Sequence, residues 1–269
     1  MTTAIVRALC VRLQNNMFTQ ELNAVYILWL RQIKRYYRAR SRVIGSFAQP
    51  LLFLFALGYG LGPVYAQAGK GNYIDFLVPG IISMSIIFSG MFSGLAVIWD
   101  RQFGFLRETL VAPVSRLSIM LGRTLGGATI AFGQGVFIFI VSLFIGFHVQ
   151  NWILVIPAFI MMFLIAILFT ALGTGMASRL EDIQGFQFIM NFLLMPLFFL
   201  SGALFPLTNI PTVLMYIVAF NPLSYGVDAL RALLVGTTQF GIGMDFVVVT
   251  SVAIVFMVLG AYLFSTIEA

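Results

Sequence analysis

Five long stretches of this chain carry no Asp, Glu, Lys or Arg: residues 43–69, 76–99, 124–178, 183–227 and 246–267. A helix needs roughly 20 apolar residues to cross a hydrocarbon layer about 30 Å thick, and each stretch is at least that long. With 61% hydrophobic residues, 9% charged residues and a mean hydropathy of +1.02, no single soluble core could hide this apolar surface. The chain belongs in a bilayer.

The third run is long enough for two helices, with a polar break at His148, Gln150 and Asn151. The fourth contains Pro196, Gly202, Pro206, Pro211 and Pro222, and the apolar piece after Pro211, residues 212–220, is too short to cross. One span over 184–205, followed by a short helical hairpin dipping back into the outer half of the membrane, fits the prolines and the length. The expected fold is therefore an all-α integral membrane protein of six transmembrane helices, divided into a segment 1–42 and a membrane domain 43–269.

Eight Lys or Arg precede the first span, four lie between spans two and three, and Arg179 lies between spans four and five. Only Lys70 and Arg231 fall on the opposite side, which places both termini in the cytoplasm. Residues 1–16 lack a cleavage-type apolar region, so the first span is expected to stay as an anchor in the inner, cytoplasmic membrane. The cations follow one membrane face and form no nucleic-acid motif, so no nucleic-acid partner is expected. In the segment before the first span, Leu22, Tyr26, Trp29, Ile33 and Tyr37 recur at helical spacing, with Arg31, Lys34, Arg35, Arg38 and Arg42 on another face. That pattern describes an amphipathic helix lying on the inner leaflet, where it can attract anionic lipid and also border a cytoplasmic partner.

Catalysis has little to work with. His148 is the one histidine and Cys10 the one cysteine, so neither a metal site nor a catalytic constellation is expected. Asp75, Asp100, Glu181, Asp182, Asp228 and Asp245 fall at the edges of spans or in loops, whereas ion-coupled carriers keep ionisable groups near the midplane. Gly69-Lys70-Gly71 lacks the upstream glycine of a phosphate-binding loop, so this chain binds no ATP itself. A transporter driven by a separate protein is the leading reading. An ion-coupled carrier or a passive channel, with sodium held by Ser, Asn or backbone carbonyls, remains the alternative.

Against this background the stretch "WDRQFGFLRETLVAPVSR", residues 99–116, stands out on the cytoplasmic side. Asp100 can cap a short helix in which Phe103, Leu106 and Leu110 share a face until Pro113 ends it. Such a helix could dock into a groove while Arg101, Arg107 and Glu108 pair around its rim. The positive-inside rule alone also places arginines here.

The order of the residues resembles the cytoplasmic loop of type-2 ATP-binding cassette (ABC) exporter permeases, especially those similar to the daunorubicin-resistance permeases. The segment Glu108-Thr109-Leu110-Val111-Ala112-Pro113-Val114 carries the likeness, with "NPLSYGVDALR" at 221–231 and "FLVPGI" at 76–81 as further matches in order. The resemblance implies half a pore that pairs with a second copy or a paralogue above a separate ATPase dimer holding ATP and Mg²⁺, with no cofactor on this chain. It implies that 100–113, including Gly104 and Phe105, is the coupling helix, with the basic helix 22–42 as an elbow beside the ATPase. Residues 206–235 then correspond to re-entrant outer helices closing the exit, with Phe205, Pro206, Asn221 and Pro222 at the gate. Asp228 and Arg231, three apart on a helix, can pair there or stand as plain surface charges. Phe53, Phe55, Tyr59, Phe88, Phe92, Phe192, Phe198 and Phe199 can line a greasy route for an amphipathic drug, lipid or lipid-linked glycan, or serve helix packing.

Overall fold

The computed structural model describes residues 2–67, 72–105, 114–207 and 211–265, and every element among them is helical. In chain order these are α1 (Thr2–Arg38), α2 (Arg40–Gln67), α3 (Tyr73–Phe92), α4 (Leu95–Gln102), α5 (Arg116–Phe144), a 3₁₀ turn (Trp152–Leu154), α6 (Val155–Arg179), α7 (Ile183–Phe199), α8 (Thr212–Phe220), α9 (Pro222–Val235) and α10 (Ile242–Ser265). Five candidate spans are long and apolar enough to cross: Arg40–Tyr65, Tyr73–Gln102, Arg116–Phe144, Trp152–Arg179 and Ile242–Phe264.

The expected fifth span, 184–205, is shorter than the sequence suggests. Helix α7 stops at Phe199 after 17 residues, about 25 Å of rise. Ser201 ends it: its hydroxyl donates to the Phe198 carbonyl at 2.7 Å, and Gly202 adopts the left-handed φ of 75°. The break at 148–151 is as expected. There α5 ends at Phe144, and Asn151 caps the 3₁₀ turn by accepting from the Ile153 amide at 3.0 Å.

Helices α8 and α9 meet at 88°. Asn221 has an extended backbone, as a residue before proline must, and its side chain accepts from the Leu223 amide at 3.0 Å. Pro222 then occupies the first helical position, where a missing amide costs nothing. The nine residues of α8 match the short apolar piece read from the sequence, and α8 and α9 precede the last helix as a pair bent nearly at a right angle.

Helix α3 is the centre of the bundle, buried along almost its whole length, whereas α2 and α10 expose most of theirs. Small residues set the spacing, because packing rather than hydrophobic transfer holds helices together in lipid. A side chain at Gly94 or Gly173 would meet the facing backbone where α3–α4 crosses α6, and one at Gly260 would meet Met120. Gly122 and Gly126 of α5 likewise admit the backbone of α1 beside Val25 and Trp29.

Candidate functional site

The stretch beginning at Trp99 forms the last turn of α4, and Asp100 does not cap a new helix as expected. The helix has already run from Leu95, so Asp100 sits near its C-terminus, where the helix dipole disfavours a carboxylate. Three guanidiniums offset this. Arg123 Nη2 lies 2.8 Å from Oδ2, Arg35 Nη1 donates to Oδ1 at 3.0 Å, and Arg31 Nη2 is 3.8 Å from Oδ1. Asp100 and Arg123 are both buried, so one carboxylate ties α1, α4 and α5 together. Arg35 and Arg42 also stand over the Trp99 ring, at 5.5 and 5.8 Å from its centroid.

Beyond Asp100 the chain turns outward. Arg101 is half-buried, Gln102 Nε2 donates to the Glu181 carbonyl at 3.1 Å, Phe103 and Phe105 are exposed, and Gly104 takes a φ of 79°. Leu106, Arg107, Glu108, Leu110 and Pro113 lie outside the described residues. The far end is anchored by Ser115, which caps α5 through its hydroxyl to the Ser118 amide at 3.2 Å. Glu21 of α1 holds this cap, accepting from the Ser115 amide at 2.8 and 3.1 Å and from its hydroxyl at 2.8 Å. Hydrogen bonds from the Ser118 and Ser115 hydroxyls and the Ser115 amide keep the Glu21 carboxyl below the usual range. Asp100 and Ser115, on either side of 106–113, are thus both bonded to α1.

The two faces expected for the basic helix are not cleanly divided. Trp29 packs inward, donating to Thr129 Oγ1 at 3.0 Å, and Arg35 also turns inward to Asp100, while Leu22, Tyr26 and Tyr37 stay exposed. The carboxylate of Asp100 and the ring of Trp99 draw part of the charged face into the protein. Lys34 and Arg38 remain exposed.

At the opposite end, Asp228 and Arg231 do not pair. Asp228 accepts from Thr238 Oγ1 and from the amides of Gln239 and Phe240, all at 2.9–3.0 Å, and so clamps the turn into α10. Arg231 donates to the Gly202 carbonyl at 3.0 Å and lies 4.0 Å from the Phe76 ring centroid, pinning the turn after α7. Each buried charge is met by the loop next to it, which leaves neither free for the other. Asn221 Nδ2 donates to the Leu197 carbonyl at 2.6 Å, linking the α8–α9 bend to α7. Phe205 is exposed and Pro206 half-buried.

The aromatic residues do not line one surface. Phe198 is enclosed in the core, Phe53 is half-buried against it, Tyr59 stacks on Phe55 at the exterior, and Phe192 projects outward beside the partly exposed Phe199. Phe88 and Phe92 alone of this set line a cavity of about 160 Å³ between α1, α2, α3 and α5.

Arg123, Glu21 and Asp245 are the residues that sequence reasoning passes over. Arg123 borders an apolar run, and a cation there demands a buried counter-ion, which is a readable signal. Asp245 lies in the first turn of α10, within the candidate span Ile242–Phe264, with its carboxylate buried and without a hydrogen-bond partner among the described residues. Glu21 carries no such signal, because its partner Ser115 is 94 residues away.

Comparison with known proteins agrees with this helical membrane architecture. Residues 23–235 match the family described as ABC-2 type transporter. The chain is 32% identical over 222 residues to the "Putative transport permease ycf38" of Cyanophora paradoxa, covering 80% of this chain and 74% of that protein. It is 31% identical over 236 residues to the protein of the same description from Pyropia yezoensis, covering 85% and 79%. It is 29% identical over 213 residues to "Nodulation protein J" of Rhizobium leguminosarum bv. trifolii, covering 78% of each. A multi-pass bundle whose matched region runs from the basic helix through the bent helical pair is a membrane transport permease, and the chain belongs to the ABC-2 type transporter family.

Proposed function

We propose that this chain is the permease subunit of an ATP-driven exporter, working with a second copy or a paralogue above a separate cytoplasmic ATPase dimer that binds ATP and Mg²⁺. The observation that carries this reading is the fastening of the described residues on either side of 106–113. One end is held by Asp100 among the arginines of α1 and α5, and the other by Glu21 on Ser115. A loop so anchored passes a push from a docked protein directly into α1 and α5. In this reading both termini and the basic helix lie on the cytoplasmic side of the inner membrane, and 100–113 is the coupling segment.

Helix α7 supports pairing with a second permease. Gln184, Gln187 and Asn191 are all exposed on it beside Phe188 and Phe192. Amides facing hydrocarbon are costly, whereas across a helix–helix interface or along a shared route they find partners. A surface mixing amides with aromatics suits a hydrophobic or amphipathic substrate, such as a drug, a lipid or a lipid-linked glycan.

The buried, unpartnered carboxylate of Asp245 favours a second reading, an ion-coupled carrier working without an ATPase. Co-purification separates the two. Changing Leu106 and Glu108 to Ala and Lys should weaken capture of the ATPase or uncouple its hydrolysis from transport, while Ile153→Ala with Thr237→Lys, at exposed positions near the other end of the bundle, should do neither. Unchanged capture and coupling in the first variant would remove the docking role of this segment.

A further inference from the structure

The cavity of about 160 Å³ enclosed by α1, α2, α3 and α5 has a lining unlike a packing void. Arg35 and Arg42 stand at one end, Ser85, Ser89 and Gln134 reach in from α3 and α5, and no Asp or Glu lines it. Dry packing defects in a membrane bundle are lined by apolar groups. This one holds cations and hydroxyls, and the Ser85 hydroxyl has no hydrogen-bond partner among the described residues.

The charge around it is unbalanced. Arg31, Arg35, Arg123 and Arg42 surround Trp99 and Asp100, and Asp100 is the one carboxylate paired with them among the described residues. Arg42 has no carboxylate partner there: its best contacts are a 3.4 Å approach to the Phe92 carbonyl and the Trp99 ring. Ser85 is 1% exposed, lines the cavity, and its hydroxyl has no hydrogen-bond partner. A half-buried guanidinium without a carboxylate and a buried hydroxyl without a partner, both lining the same space, favour the entry of an acceptor. Tyr36, Gln134 and Ser46 close the inner wall among themselves, with Gln134 Nε2 donating to the Tyr36 hydroxyl at 2.7 Å and that hydroxyl 2.8 Å from Ser46 Oγ. The open donors therefore concentrate on Arg42 and Ser85.

Position decides the kind of anion. Arg42 is in the first turn of α2, where the span enters the membrane, and the lining extends along α2 to Pro50, about 12 Å of helix rise deeper. The end of the cavity at Arg42 therefore lies at the level of lipid headgroups, and the volume admits a headgroup but not a whole lipid. Gly45 and Gln49 are exposed members of the lining, and a side chain at Gly45 would meet nothing within 4 Å, so the cavity is open beside α2. We propose that this cavity is a binding site for the phosphate of an anionic lipid headgroup, held by Arg42 at its mouth, with the Ser85 hydroxyl deeper in the lining for the polar remainder of the headgroup, while the acyl chains stay in the bilayer. The site goes beyond the exporter reading and holds whichever substrate or energy source the permease uses.

The test is native mass spectrometry of the purified full chain in detergent with dioleoyl-phosphatidylglycerol or dioleoyl-phosphatidylcholine, after size-exclusion chromatography confirms folding. The wild-type chain should retain phosphatidylglycerol with about a tenfold preference. Arg42→Gln should remove the preference by loss of charge, and Gly45→Trp should remove it by filling the entrance. Arg38→Gln, which removes an exposed arginine outside the cavity, should leave it intact. Displacement by millimolar inorganic phosphate would assign the site to free phosphate, and persistence would assign it to the lipid ester; both outcomes support the anion site. The proposal is overturned if the wild type shows no preference, if Arg42→Gln and Gly45→Trp both keep it, or if Arg38→Gln loses it equally, since basic residues at the membrane surface attract anionic lipid without any cavity.

Discussion

The carboxylate of Glu21 accepts hydrogen bonds from both the amide and the hydroxyl of Ser115, so the N-cap of α5 is completed by a residue of α1.

Because hydrogen bonding lowers the Glu21 pKa in the folded chain, the tether is fully present above the ordinary carboxylate pKa of about 4.3 and is lost as pH falls through the lower folded value. Spin labels at Leu22 and Leu117, both exposed, in a Cys10→Ser background report the α1–α5 distance. The distribution should stay narrow from neutral pH to about pH 5 and broaden only in stronger acid. Glu21→Ala should broaden it at every pH. A wild-type distribution that already widens near neutral pH would contradict the tether.

Asp100 holds a guanidinium that is itself buried, so removing the carboxylate should do more harm than removing one exposed arginine. Asp100→Asn is expected to cost about 3–5 kcal/mol by leaving Arg123 unpaired, while Arg35→Gln, whose side chain is 34% exposed, should cost about 1 kcal/mol or less. Adding Arg123→Met to Asp100→Asn should recover part of the loss. Thermal unfolding in detergent measures all three, and equal losses for the two single variants would refute the central place of Arg123.

Much of this architecture is legible in the sequence, and the failures have physical causes. The proline-punctuated run gives the nine residues of α8 and the bend before Pro222, because proline acts locally. The charge-free runs find the long helices for the same reason. The end of α7 at Phe199 is missed because apolar residues continue past it, and the stop comes from a serine hydroxyl and a left-handed glycine. Helical spacing suggests that Asp228 meets Arg231, yet carbonyls and amides of distant turns take both charges. Contacts such as Glu21 with Ser115 depend on which helices become neighbours, and no periodicity records that.

The unpaired arrangement of Asp228 and Arg231 on α9 has its own test. Asp228→Asn and Arg231→Gln should each destabilise the chain by about 1.5–3 kcal/mol through lost charge-assisted hydrogen bonds. Exchanging the two residues should give no rescue, since each serves a different turn. Recovery of thermal stability in the exchanged variant would show that they pair after all.

Orientation is checked with single cysteines in a Cys10-free background. Those at Gln67, Gln150 and Asn209 should react with a membrane-impermeant maleimide added outside, and those at Gln102 and Gln184 should not. Outside labelling at Gln102 would remove the segment 100–113 from reach of any cytoplasmic ATPase.

Substrate flux in vesicles reconstituted with the permease and its ATPase, measured while the energy source is switched, tests the exporter account most directly. With ATP held constant, collapsing the proton and sodium gradients should leave flux nearly intact in both the wild type and Asp245→Asn, whose buried carboxylate is the best candidate ion site among the described residues. Removing ATP should stop it. Flux that persists without nucleotide, follows an imposed proton or sodium gradient and disappears in Asp245→Asn would contradict the account and establish an ion-coupled carrier.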